Sequence, residues 1–169
     1  MKKYILLVLL ILSIIPIMFV LHHRYSSCIY KILDFSNEKS EPEANKILYE
    51  YVLKTQNKTP EEIKNFARIT PESVRAFEFD LNNDGTNEIV GVVYSTLYLG
   101  TAGYNLFILQ KQPDGYKDIS FSNFEPEAGV TIRKEKTNGY HDIKLTGYHG
   151  DIQFVIKYKD GMYDWAYKL

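Results

Sequence analysis

An α+β domain behind one apolar N-terminal segment is the fold class this sequence predicts, with two short helices leading into an antiparallel β-meander of about 6–8 strands. Three observations predict it. Residues 4–21 read YILLVLLILSIIPIMFVL without a charge. Two helix-start signals follow, at Ser40 and at Thr59-Pro60-Glu61-Glu62. From Val74 onward, short apolar runs alternate with the turn clusters Asn83-Asp84-Gly85, Pro113-Asp114-Gly115, Asn138-Gly139 and Asp160-Gly161. Such clusters close antiparallel hairpins because Gly, Asn and Asp accept the backbone angles that tight turns impose.

The apolar run is just long enough to cross a hydrocarbon core at about 1.5 Å per residue. Lys2 and Lys3 precede it, which places that end in the cytoplasm whether the segment is a transmembrane anchor or a signal peptide. Both readings stay open. Tyr25-Ser26-Ser27 is a poor cleavage site, which favours the anchor, and Pro16 is tolerable in a membrane helix. Cys28 stands where an acylated cysteine would stand in a lipoprotein, but the residues before it do not form a small-residue box. The expected division is therefore 1–24 anchor or signal, 25–39 tether, and 40–169 a domain outside the cytoplasm. That domain is either tied to the cell membrane or, after cleavage, exported or periplasmic.

In the domain, Ser40 with Glu43 three residues on reads as a capping box, and Ala44, Ile47, Leu48, Tyr51 and Val52 recur at helical spacing. The second helix has Pro60 in its first turn and Ile63, Phe66 and Ala67 facing inward, and Pro71 limits its length. Expected strands are 74–80, 88–96, 104–111, 116–121, 129–136, 141–147, 152–159 and 163–168, curved into one meander with the helices on one face. Fourteen Tyr and nine Phe suit half-buried sheet surfaces.

Charge narrows the function. All 21 acidic residues follow Arg24, and residues 25–169 carry a net −4, which argues against nucleic acid as a partner. Cys28 is the only cysteine, so the chain has no internal disulfide and no cysteine pair for zinc or redox chemistry.

The sharpest chemical signal is Asp80-Leu81-Asn82-Asn83-Asp84-Gly85-Thr86-Asn87-Glu88. Oxygen side chains fall at loop positions 1, 3, 5 and 9, with Gly at 6 for the bend and the Thr86 carbonyl at 7. Calcium is a hard cation that takes six to eight oxygens, and this spacing turns alternate side chains toward one centre. An EF-hand also needs Glu at position 12, where Gly91 stands, and the flanks read as strands. With its strand on either side, the segment Phe79 to Val90 resembles the loop of FG-GAP and VCBS-type repeats. That resemblance implies Asp80, Asn82, Asp84 and Glu88 as side-chain ligands of a structural Ca2+. It covers about fifteen residues and carries over the loop, not the propeller, which needs several blades. More loosely, the order of loop, apolar strand, Gly100-Thr101-Ala102-Gly103 and Asn138-Gly139-Tyr140-His141-Asp142-Ile143 is similar to a group of small bacterial envelope proteins. Those often carry Cys where Leu99 and Tyr104 stand here. The competing reading of the loop is a plain hairpin turn with surface acids.

Other chemistry is thinner. His141 and His149 fit facing positions on a hairpin, but no third ligand or H-x-x-x-H accompanies them. Gly100-Thr101-Ala102-Gly103 lacks the Lys and the following helix of a phosphate loop, and no G-x-S-x-G elbow occurs. Tyr94, Leu97, Tyr98, Leu99 and Tyr104 form either core or a patch for a protein partner in the envelope. Two function classes result. One is a non-enzymatic envelope protein that binds another macromolecule; the other is a hydrolase in which carboxylates such as Asp118, Glu125, Glu127, Asp142 and Asp151 converge on a cleft.

Overall fold

The computed structural model describes residues 29–36, 40–98, 104–120, 129–146 and 153–169. Among these residues nine strands and two α-helices follow in the order β1 (Ile29–Asp34), α1 (Pro42–Gln56), α2 (Pro60–Ala67), β2 (Val74–Phe79), β3 (Glu88–Val93), β4 (Leu106–Gln112), β5 (Gly115–Asp118), β6 (Gly129–Thr137), β7 (Tyr140–Thr146), β8 (Gln153–Lys159) and β9 (Met162–Lys168). A short 3₁₀ turn, Pro71–Ser73, leads into β2.

The expected α+β meander is corrected in three respects. The described residues are 50% strand and 22% helical, so the fold is mostly β. The strands form two antiparallel sheets, β2-β3-β4-β5 and β1-β6-β7-β8-β9, instead of one. No helix among the described residues is long and apolar enough to cross a membrane; the expected N-terminal membrane helix falls on residues outside the described ones. The stretch read as a tether contributes β1, which pairs with β6 from Ile29 opposite Arg133 to Asp34 opposite Gly129. Its alternation places Leu33, and Phe35 just beyond it, inside the core, a pattern too short to read beside the apolar run that precedes it.

Two cores hold three layers together. Between the sheets lie Leu33, Val90, Val92, Ile108, Ile132, Ile143, Leu145, Ile156 and Tyr163. Between the helices and the four-stranded sheet lie Ala44, Leu48, Val52, Ile63, Ala67, Ile89, Val93 and Leu109. Strand β3 is buried on both faces because it belongs to both cores. Its Gly91 is required there. A Cβ at that position would stand 2.6 Å from the Ala76 Cβ and the Arg75 carbonyl and 2.8 Å from Leu48 Cδ2.

The second helix begins as expected, with Thr59 Oγ1 accepting from Glu62 N and Glu62 returning the bond to Thr59 N. The first does not. Its N-cap is Glu41, whose carboxylate reaches across to accept from Glu78 N at 2.6 Å, while Ser40 Oγ accepts from the Asn45 amide. Asn45 also accepts from Ala76 N. Side chains of the first turn thus stitch α1 to the edge of β2 in place of capping it. Phe66, expected inside, is 68% exposed.

Candidate calcium loop

Residues 80–87 join β2 to β3, with the pairing of Phe79 and Glu88 closing the ladder below them. The backbone curls through the left-handed region at Asn83 (φ 64°) and Gly85 (φ 86°). Asp80 organises the turn from its first position. Its Oδ1 accepts from Asn83 N at 2.6 Å and Asp84 N at 3.2 Å, and its Oδ2 accepts from Gly85 N at 2.9 Å. Asp84 Oδ1 accepts from Thr86 N at 2.7 Å, and Asp84 Oδ2 accepts from the Asn82 amide at 2.8 Å. The Asn82 and Thr86 bonds hold the Asp84 carboxyl below its ordinary range. Asn82 Oδ1 accepts from Asp84 N at 2.9 Å.

Glu88 differs from these in kind. It shares its side of β3 with Val90 and Val92, which places its carboxylate at the end of the inter-sheet core, 1% exposed. Its side chain makes one hydrogen bond among the described residues, from Leu81 N at 2.9 Å. Burial pushes the carboxyl up to about 7; the Leu81 N–H opposes the shift, and the charges of Asp84 and Asp80 add to it.

The loop is also tied to the opposite sheet. His141 N donates to the Leu81 carbonyl at 2.8 Å, and Lys136 Nζ donates to the Asn82 carbonyl at 3.3 Å. The Tyr140 hydroxyl accepts from the Asn82 amide at 3.1 Å and from Gln110 Nε2. Tyr140 in turn stacks on Tyr158 with ring centroids 3.8 Å apart. None of these ties is readable from the loop's own spacing, because the partners come from β6, β7 and β4.

Comparison with family models, with curated proteins and with solved structures finds no match. The loop is therefore weighed on its own geometry. All five expected residues, Asp80, Asn82, Asp84, Thr86 and Glu88, fall within one turn and its closing pair. Yet among the described residues no three His, Cys, Asp or Glu side chains form a group able to hold a metal ion. The physical reason lies in the bonds above: the Asp80 and Asp84 oxygens face the loop's own N–H groups and Glu88 is drawn to Leu81 N. A cation requires Asp84 to leave the Asn82 amide and Glu88 to turn outward. The donor set is all oxygen and fits calcium.

The remaining candidates are placed plainly. His141 is buried, its Nδ1–H donating to the Arg133 carbonyl and its Nε2 without a partner among the described residues; burial lowers its pKa. His149, His22, His23, Cys28 and residues 99–103 lie outside the described residues. Tyr94 packs edge-on against Tyr104 and donates to the Phe35 carbonyl, while Tyr98 packs edge-on against Phe107 and accepts from Gln56. Those tyrosines are structural, and Leu97 of the same set is 39% exposed. Asp118 accepts from Ser120 N and Oγ, and Asp142 from Thr137 Oγ1 with Lys157 Nζ at 3.3 Å. They stand on different sheets. Glu125, Glu127 and Asp151 lie outside the described residues.

Proposed function

We propose that this chain is a non-enzymatic binding protein of the cell envelope, anchored or exported through its N-terminal segment, in which loop 80–88 holds one structural calcium ion. Glu88 carries the reading. A plain turn has no use for a buried carboxylate that feels the charges of two further acids, since Asn-Gly alone suffices. A divalent cation converts that cost into a gain, with Asp80, Asn82, Asp84 and Glu88 offering side chains and Thr86 its carbonyl. Three carboxylates without a twelfth-position Glu set the affinity at about 10⁻⁴ to 10⁻³ M, the range of extracellular modules. The alternative of a carboxylate hydrolase draws no support from Asp118 or Asp142, which are engaged by Ser120 and by Thr137 and Lys157 and stand on different sheets.

Calorimetric titration of the full chain in detergent with calcium, then magnesium, tests the loop. Binding heat with calcium and little with magnesium is the expected result; no heat with either returns residues 80–88 to a surface turn. A reporter fused after Leu169 tests the location, and activity confined to the cytoplasm overturns it.

A further inference from the structure

Both ladders of β6 lose their register around Arg133. Toward β1, Ile29 stands opposite Arg133 and Lys31 opposite Ile132, so Tyr30 is an extra residue without a counterpart. Toward β7, Ile132 stands opposite Ile143 and Lys136 opposite His141, so Arg133, Lys134 and Glu135 face Asp142 alone. Bulges of this kind disrupt the ladder, bend the strand and re-aim its side chains. Here they meet around one imidazole. The Arg133 carbonyl takes the Nδ1–H of His141, which fixes the tautomer and leaves the lone pair on Nε2. Nε2 is buried and has no hydrogen-bond partner among the described residues. The Tyr30 ring lies 4.8 Å from the imidazole and meets Phe79 edge-on at 5.5 Å, while Phe79 stands edge-on to the imidazole at 6.1 Å. His141 is 3% exposed and Tyr30 56%, so the tyrosine is the outer member of the three rings.

An acceptor taken out of water without a partner is costly, and the cost lasts only while the acceptor stays covered. Strand β1 is divided in a way that allows the cover to move. None of Ile29 to Ile32 is buried, whereas Leu33 and Phe35 just beyond are held in the inter-sheet core. β1 is also an edge strand, with β6 as its one neighbour in the sheet. Release of its first residues therefore leaves the core in place, and it returns Nε2 to water, which lowers the free energy of opening below that of an edge with satisfied neighbours. We propose that Ile29–Lys31 form a lid over His141, held shut by the Tyr30 ring, which opens without unfolding of the sheet and presents the Nε2 lone pair at the surface. What the open lid offers is a neutral imidazole, oriented through Nδ1, that accepts a hydrogen bond from a donor ligand. The lid depends neither on the calcium ion nor on the membrane anchor proposed above.

The test is acylation of the imidazole by diethyl pyrocarbonate in the full chain in detergent. The peptide that carries His141 is read by mass spectrometry, which separates it from His22, His23 and His149. His141 should react slowly in the unmutated protein and about threefold to tenfold faster in Tyr30→Ala, which loses two ring contacts. Tyr30→Phe keeps the ring and should react at the unmutated rate. Ile156→Val on β8 loosens the inter-sheet core and raises the unfolded population several-fold, and it too should leave the rate unchanged. A rate raised by Ile156→Val as much as by Tyr30→Ala would mean that only global unfolding uncovers His141, and would overturn the lid. So would an unchanged rate in Tyr30→Ala, or an equal rise in Tyr30→Phe. Absence of reaction in every variant, under conditions that label His141 in the denatured chain, overturns it as well.

Discussion

Two turns in this molecule do the same topological work with very different means. Asn138 and Gly139, at φ 51° and 88°, reverse the chain between β6 and β7 in two residues. The turn between β2 and β3 uses eight, with Asp80 gathering three N–H groups, Gly85 at φ 86°, and a buried Glu88 closing it. The short turn shows what reversal costs: two left-handed residues, the second a glycine. Everything beyond that in loop 80–88 serves something other than reversal. Some of it serves docking, because the Tyr140, His141 and Lys136 bonds fasten the loop to the other sheet. The burial of Glu88 beside the charges of Asp80 and Asp84 does not, and it is the feature on which the calcium proposal rests.

The largest way to break this contrast is through Glu88. Its folded pKa of about 7 stands above the ordinary 4.5, so the folded state binds the proton more tightly than the unfolded one. Stability is therefore fully present below about 4.5, falls as pH rises toward 7 and is level above, by at most about 3 kcal/mol at about 1.4 kcal/mol per unit. Denaturant titration in chelator across this range should show the fall, and Glu88→Gln should abolish it. With calcium bound the carboxylate is held ionised, and the fall should disappear. A pH-independent stability in chelator would mean that Glu88 is not held as the fold places it.

The next effect is the ion itself. Millimolar calcium against a sub-millimolar Kd stabilises by about 1–2 kcal/mol, read as a rise of several degrees in Tm. Asp80→Ala should remove that rise and also cost about 1–3 kcal/mol in chelator, because three N–H groups lose their acceptor. Loss of the calcium response without any cost in chelator would separate ligand from turn-former and refute the double role given to Asp80.

A matched pair sharpens the comparison directly. Gly85 and Gly139 have nearly the same φ, and a Cβ at either meets nothing within 4 Å. Substitution by Ala therefore costs backbone strain alone, about 1–2 kcal/mol at each site in chelator. In calcium, Gly85→Ala should cost more than Gly139→Ala, since only the former disturbs an ion site. Equal costs in both conditions would make the two turns equivalent. The smallest expected effect is that of Tyr140→Phe, which keeps the stack on Tyr158 and removes the acceptor shared by Asn82 and Gln110. About 0.5–1.5 kcal/mol should be lost by thermal melting, with the calcium response retained.

What was legible in the sequence follows from how far each signal reaches. Thr59-Pro60-Glu61-Glu62 is a local device and forms the capping box it spells. The eight strands expected after Val74 all form, within a few residues of their expected limits, because each is bounded by its own turn residues. Division into two sheets was not legible, since nothing local says that β5 and β6 part company. Nor was β1, whose partner β6 lies far along the chain. Glu41 was missed as N-cap because its carboxylate serves Glu78 N, a partner invisible from the helix. In the loop, the spacing of the oxygen side chains was readable, whereas the burial of Glu88 depends on the inter-sheet core closing over it.

The pairing of β1 with β6 has a consequence for how the chain is made. Ile29 leaves the ribosome about a hundred residues before Arg133, so at about 5–20 residues per second β1 waits about 5–20 s for the strand it will join. During that interval Leu33 and Phe35 have no core and β1 offers an unpaired edge. Strands β2 to β5 and both helices emerge in the meantime and pair among themselves without it. The four-stranded sheet and its helices are thus positioned to form first, and the five-stranded sheet closes last, around the residues nearest the N-terminal segment. Among the described strands, Ile29–Asp34 is therefore the one that waits longest for its partner.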